Sequence, residues 1–213
     1  MFLFATESPD FLKMYNFIYF PILFFLALVT AEWVCQAPES KDSAYAVWAA
    51  VFTEGGLYGA VVFWSLEGYV SCGLGLKGLP ARGGPFEYHI HTTPVPKSGN
   101  CDATMGHFNP YCGTADGRIP SEKEVGDLSG KHGKLSGTDV SQYYDDHFLS
   151  INPKDRAFIG NLPVVLHLAS GRRFACSNLV KIVGKPTGAQ AEAFKQLKGE
   201  NLPKEVRQTL GLE

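Results

Sequence analysis

The chain has 213 residues, 45% of them hydrophobic and 19% charged. That is enough apolar material for an ordinary core, and it excludes a disordered or collagen-like chain. A net charge of −2 excludes a nucleic-acid binder that works by bulk positive charge. The 23 glycines and 13 prolines predict many turns, and the five cysteines are too few for a disulfide scaffold but matter if the chain is exported.

Met14–Ala31 is uncharged and apolar on every helical face. It closes on Val29-Thr30-Ala31, which puts small residues at both recognition positions of a signal-peptidase site, so residues 1–31 read as a signal peptide. A retained anchor is the rival, because the run is near the lower limit of the roughly 20 residues that span a bilayer. A buried core helix is the lesser alternative, because Phe, Leu and Ile surround every face of the run. Glu7 and Asp10 outnumber Lys13 ahead of the run, which is odd for a signal sequence and leaves a start at Met14 open beside Met1. Cleavage would leave a nearly neutral mature chain in an oxidising space, where disulfides persist.

Residues 32–45 read as a flexible leader. AVWAAVF (46–52) and GAVVFWSL (59–66) flank Gly55-Gly56 and read as a hairpin. YVSCGLGL (69–76) follows, then FEYHIH (86–91) after the Gly83-Gly84-Pro85 breaker. Thr92–Gly137 is mostly loop, and a stretch that long inside a compact domain is usually functional. Strands are expected to resume at HFLSI (147–151), LPVVLHLA (162–169) and RFACSNLVKI (173–182). Short strands separated by turns suggest an all-β sandwich or barrel over 46–183. Beyond it, Lys185-Pro186-Thr187-Gly188 breaks the pattern. Ala191, Phe194 and Leu197 then recur at helical spacing and Pro203 opens a second run. Residues 184–213 therefore read as a short helical tail, solvated or weakly docked, with no hydrophobic tract of the kind that directs a lipid anchor.

The six histidines carry the chemistry. His89 and His91 form H-x-H in a strand, and side chains two apart share a face, so both imidazoles can reach one metal. His107 lies in the long loop and His167 on the late apolar strand. A set of neutral imidazoles without thiolate or carboxylate suits copper. His132 and His147 read as structural or exposed.

In order and spacing, EYHIH (87–91), HFNPY (107–111), VGDL (125–128), GNLPVVLH (160–167) and RFACSNLV (173–180) resemble the copper-zinc superoxide dismutase family. The resemblance covers about residues 46–183. It implies an eight-stranded antiparallel Greek-key β-barrel, of the immunoglobulin-like sandwich type, with a long metal-binding loop. It implies one copper ion held by His89, His91, His107 and His167. In two-metal members the residue matching His107 bridges copper to zinc, and the other zinc ligands are two histidines and an aspartate. Asp127 is present, but Ala115 and Glu124 stand at the histidine positions, so zinc is not expected. Between His167 and Cys176 stands only Leu168-Ala169-Ser170-Gly171-Arg172-Arg173-Phe174-Ala175, where two-metal enzymes carry a long electrostatic loop. Both departures resemble the copper-only enzymes secreted by fungi and oomycetes. There Glu124 and Asp127 would hydrogen-bond the copper imidazoles and fix their orientation.

The same resemblance makes Arg173 the active-site arginine, since a fixed guanidinium focuses a small anion locally; alternation in an extended segment sends the adjacent Arg172 elsewhere. It pairs Cys101 with Cys176. Cys35, Cys72 and Cys112 remain; whether Cys112 pairs with Cys35 or stays free is open. The implied activity is dismutation of superoxide, with His107 serving as ligand and acid. The implied protein is secreted, or held at the cell surface if its amino-terminal segment is retained. It would be a monomer with superoxide as its substrate, no nucleic-acid partner, and no stable membrane partner after signal cleavage. The alternative is a non-catalytic secreted copper-binding protein of the same fold.

Overall fold

The computed structural model describes residues 35–41, 45–66 and 68–213. The expected signal peptide, residues 1–31, lies outside the described residues. Strands β1 (Val47–Phe52), β2 (Tyr58–Trp64) and β3 (Val70–Lys77) form a meander. It is flanked by β5 (Asp139–Asp146) and β8 (Val180–Lys181), in the order β5-β3-β2-β1-β8. Strands β4 (Glu87–Ile90), β6 (Pro163–His167) and β7 (Arg173–Asn178) make the second sheet, ordered β4-β6-β7. Every pairing between these strands is antiparallel. The non-consecutive neighbours β3–β5, β4–β6 and β1–β8 give the crossed connectivity expected of a Greek key.

The main core lies between the sheets. Trp48, Ala50 and Phe52 of β1, Val61 and Phe63 of β2, and Cys72, Leu74 and Leu76 of β3 meet Tyr88, Ile90, Val164 and Leu166 of the smaller sheet. The opposite face of β1 and β2 is also buried. Val47, Ala49, Ala60, Val62 and Trp64 pack under Phe194, Leu197, Leu202, Val206 and Leu210. Burial on both faces is why these strands read as continuous apolar runs instead of alternating. The carboxy-terminal residues are helical as expected, in α2 (Gly188–Phe194) and α3 (Lys204–Leu210). They are not a solvated or weakly docked tail, because their apolar stripe closes this second core. The backbone of Gln196 passes so close to Gly75 that a Cβ there would overlap its carbonyl.

Two further expectations are corrected. HFLSI (147–151) is not a strand; the preceding DVSQYYDD forms β5. Its outward residues are polar or exposed, so the alternation is muted in sequence. Leu149 and Ile151 are buried as anchors of a connecting loop. The leader is not loose over residues 35–41. Cys35 is bonded to Cys112, the Ala37 amide donates to the Ser121 carbonyl (2.8 Å) and the Ser40 amide to the His147 carbonyl (2.6 Å). The expected long loop contains 3₁₀ turns at Cys101–Thr104 and Pro120–Glu122, and helix α1 (Leu128–His132).

Phe194 is fully buried in the second core. Phe194→Ala is expected to lower unfolding free energy by roughly 3–5 kcal/mol, read from denaturant midpoints. A loss under about 1 kcal/mol would mean that the helices do not stabilise the barrel.

Candidate metal centre

Strand register builds most of the site. β4 pairs with β6 so that His89 stands opposite Val165 and Glu87 opposite His167. Residues two apart share a face, so His89, His91 and His167 all lie on the face turned away from the core, while Tyr88, Ile90, Val164 and Leu166 fill it. A bulge between Leu166 and His167 re-aims the histidine and sets it opposite Arg173 of β7. His107 arrives from the long loop through an antiparallel bridge to His91. One ring nitrogen from each of His89, His91, His107 and His167 falls within 4.8 Å of the others.

In each ring, the second nitrogen has an oxygen partner that fixes the tautomer. The Met105 carbonyl lies 2.9 Å from His91 Nδ1. The Gly171 carbonyl lies 3.0 Å from His167 Nδ1. Glu124 Oε2 is 2.6 Å from His107 Nδ1, and Asp127 Oδ1 is 3.3 Å from His89 Nε2. Carbonyls and carboxylates only accept, so these nitrogens carry the protons. The lone pairs are left on His91 Nε2, His167 Nε2, His107 Nε2 and His89 Nδ1. His89 Nδ1 is buried and has no hydrogen-bond partner among the described residues.

The electrostatics fit a bound cation. His91 Nε2 and His167 Nε2 face each other at 3.1 Å, which sets two lone pairs against one another unless a positive charge joins them. A proton is a poor candidate. Burial pushes His91 down to about 3 and His167 to about 4, against the opposing pull of the Met105 and Gly171 carbonyls. Burial also opposes ionisation of Asp127. Bonds from His89 and from the Gly130 amide outweigh it and hold the carboxyl below its usual range. Neutral, tautomer-locked imidazoles of this kind match the donor set that copper accepts. His89, His91 and His167 are buried, whereas the His107 side chain is 30% exposed, so the site opens on the His107 side.

Arg173 is half-buried beside the centre and does more than carry charge. Its guanidinium donates to the carbonyls of Cys101 (2.9 Å), Asp102 (3.1 Å) and Met105, and to Thr104 Oγ1 (3.3 Å). The Met105 carbonyl it holds is the one that orients His91. Arg172 is exposed. Cys101 is bonded to Cys176, and Cys35 to Cys112, which settles the pairing the sequence leaves open; Cys72 is free and buried. Closing loops of 75 and 77 residues contributes roughly 4 kcal/mol each in the chain-entropy model, less in sum because the loops overlap. His132 bonds Asp146 and stacks on Tyr144; His147 is exposed against the Tyr69 ring. Sequence reading missed Met105, Gly171 and Thr104, two of which act through carbonyls that every residue has. It also missed Lys131 and Asp146, which are buried together.

No family model matches the chain. The chain is 50% identical over 113 residues to the cell surface Cu-only superoxide dismutase 5 of Candida albicans, covering 53% of this chain and 50% of that protein. It is 41% identical over 116 residues to the cell surface Cu-Zn superoxide dismutase 4 of the same organism, covering 54% and 50%. The chain thus spans about half the length of these curated relatives. Among solved structures, the Cu(II) form of Candida albicans superoxide dismutase 5 superposes with a TM-score of 0.63 at 40% identity, covering 68% of this chain and 96% of that one. With that coverage, and with the barrel and four converging imidazoles in place, the chain belongs to the fungal Cu-only superoxide dismutase family.

Proposed function

We propose that this chain is an exported superoxide dismutase that uses one copper ion and no zinc. One observation carries the reading: four imidazoles bring one ring nitrogen each within 4.8 Å of the others while an oxygen acceptor holds each ring from behind. His89, His91, His107 and His167 hold the metal in this reading. Copper, when bound, supplies the electron transfer by alternating between Cu(II) and Cu(I), so that one superoxide leaves as O₂ and a second, with two protons, as H₂O₂.

The chain supplies the rest. Arg173 attracts and orients the anion with the N–H groups that its loop contacts leave free. His107 is the proton donor: it is the ligand open to solvent, Glu124 keeps its Nδ1 protonated, and Nε2 would carry the proton when it is not holding the metal. Glu124 stands where a two-metal enzyme would place zinc, and Ala115 supplies no ligand side chain. Residues 1–31 act as a signal peptide. Two disulfides and the cell-surface names of the relatives support an oxidising, extracellular destination. A monomer is part of the proposal, and sedimentation equilibrium tests it.

Mature protein loaded with copper alone is expected to consume superoxide at a near-diffusional rate that added zinc leaves unchanged. Stoichiometric copper without turnover would favour the non-catalytic copper-binding alternative, and activity only with zinc would overturn the copper-only reading. His167→Ala is expected to lose copper and activity together. Arg173→Ala, compared at full copper loading, should lower kcat/KM roughly tenfold or more and flatten its salt dependence; unchanged values would remove steering from the account.

The metal-free protein should be acid-sensitive. His91 and His167 titrate near 3 and 4 when folded and near the ordinary 6.5 when unfolded. Between these values the unfolded chain binds more protons, so stability rises with pH. Urea midpoints should fall as pH drops from about 6.5 toward 4, and His91→Gln should blunt the fall. A flat profile would mean that the two rings are not held neutral.

A further inference from the structure

Asp127 and Glu124 approach the imidazoles from one short strap of chain, residues 124–127. The strap is threaded between two ligand-bearing segments. The Ile90 amide donates to the Gly126 carbonyl (2.9 Å), and the Gly126 amide donates to the Phe108 carbonyl (2.7 Å). Gly126 has no room for a side chain against the Ile90 and Phe108 carbonyls. Asp127 caps α1, accepting the Gly130 amide at 2.7 Å on Oδ1, the oxygen that faces His89.

Helix α1 is pinned to the barrel at its far end. Lys131 Nζ and Asp146 Oδ2 are 2.6 Å apart, and both side chains are fully buried. His132 Nε2 reaches the same oxygen at 2.8 Å and its ring stacks on Tyr144. Asp146 Oδ1 accepts the amides of Phe148 (2.8 Å) and Leu149 (3.1 Å). The Lys131 ammonium also donates to the Val125 carbonyl at 2.8 Å, between Glu124 and Gly126. At the near end, Ser129 Oγ accepts the Tyr88 amide (2.6 Å) and donates to the Tyr88 carbonyl (3.2 Å), one residue before His89.

A fully buried ion pair adds little stability over an apolar pair of the same volume; its attested use is to specify one arrangement among several. Here the arrangement specified is that of the strap. We propose that Lys131, Asp146 and His132 are positioning residues for the metal site, anchoring the strap so that Asp127 and Glu124 hold His89 and His107 in the ligating tautomer. The proposal rests on the copper reading above only for its consequence. The tautomer itself belongs to the metal-free chain.

Lys131→Met with Asp146→Asn tests this. The pair removes both buried charges, while the side-chain amide introduced at position 146 keeps an oxygen to accept the Phe148 and Leu149 amides. Val62→Ala, in the second core, is the control for stability loss alone. Nitrogen-resolved NMR of the metal-free wild type should show His89 protonated at Nε2 only, and the double variant should show exchange between tautomers. After copper loading, the double variant should bind roughly 10- to 100-fold more weakly, with a shifted Cu(II) electron paramagnetic resonance spectrum. Val62→Ala should change neither. A double variant that is less stable but keeps a single tautomer, wild-type affinity within about twofold and an unshifted spectrum overturns the proposal. A double variant that does not fold is replaced by His132→Phe, read in the same ways. A wild type with the fixed tautomer and no copper affinity would sink the copper reading and leave the positioning role standing.

Discussion

Four imidazoles crowded into a few ångströms are tolerable only if they are neutral and aimed. That constraint organises the rest of the molecule. Burial keeps His91 and His167 unprotonated, but burial alone would leave each ring free to choose which nitrogen carries its proton. The choice is made by four oxygens on four separate residues: the Met105 carbonyl, the Gly171 carbonyl, Glu124 and Asp127. The backbone bearing each must itself be fixed for the choice to hold. Arg173 pins the first, the tight turn after β6 supplies the second, and the strap before α1 carries the last two.

The disulfides serve the same end from outside. Cys101–Cys176 fastens the start of the metal loop to β7, three residues beyond Arg173. Cys35–Cys112 fastens the amino-terminal segment to the same loop on the far side of His107. A loop this long would otherwise sample many conformations at small cost, since closure entropy grows only slowly with length. Two covalent ties and the guanidinium contacts let irregular backbone carry a precise site.

The legible parts of the sequence were those in which side-chain type and periodicity carry the information. H-x-H in a strand announces two imidazoles on one face, and the strands of the smaller sheet have the right residues in the right alternation. β5 was illegible because its solvent-facing residues are polar and its inward ones include Gln142 and Tyr144, so no apolar stripe marks it. The buried contacts of Leu149 and Ile151 mimic a strand without belonging to one. The docking of the tail was half legible. Its helical spacing was visible, but its partner surface was not, although unbroken apolar runs in β1 and β2 were a sign that both faces needed cover. Carbonyl partners could not be read at all, since every residue has one. Nothing in the sequence marks Lys131 and Asp146 as a pair, and only the fold shows them buried together.

The four ligand positions are not equivalent, and the difference follows from the backbone that bears them. His89 and His91 sit at the end of one strand, and His167 ends another beside a bulge; all three are buried with their register set by ladder bonds. His107 comes from the loop, is partly exposed, and takes its orientation from a carboxylate, as the buried His89 does. A carbonyl and a carboxylate both accept the ring's N–H and hold its proton in place, so exposure, not partner type, sets His107 apart. His107 is therefore the ring that solvent reaches without disturbing the other three. The chain divides the work accordingly: three buried rings define the site, and the one on the loop forms its open side.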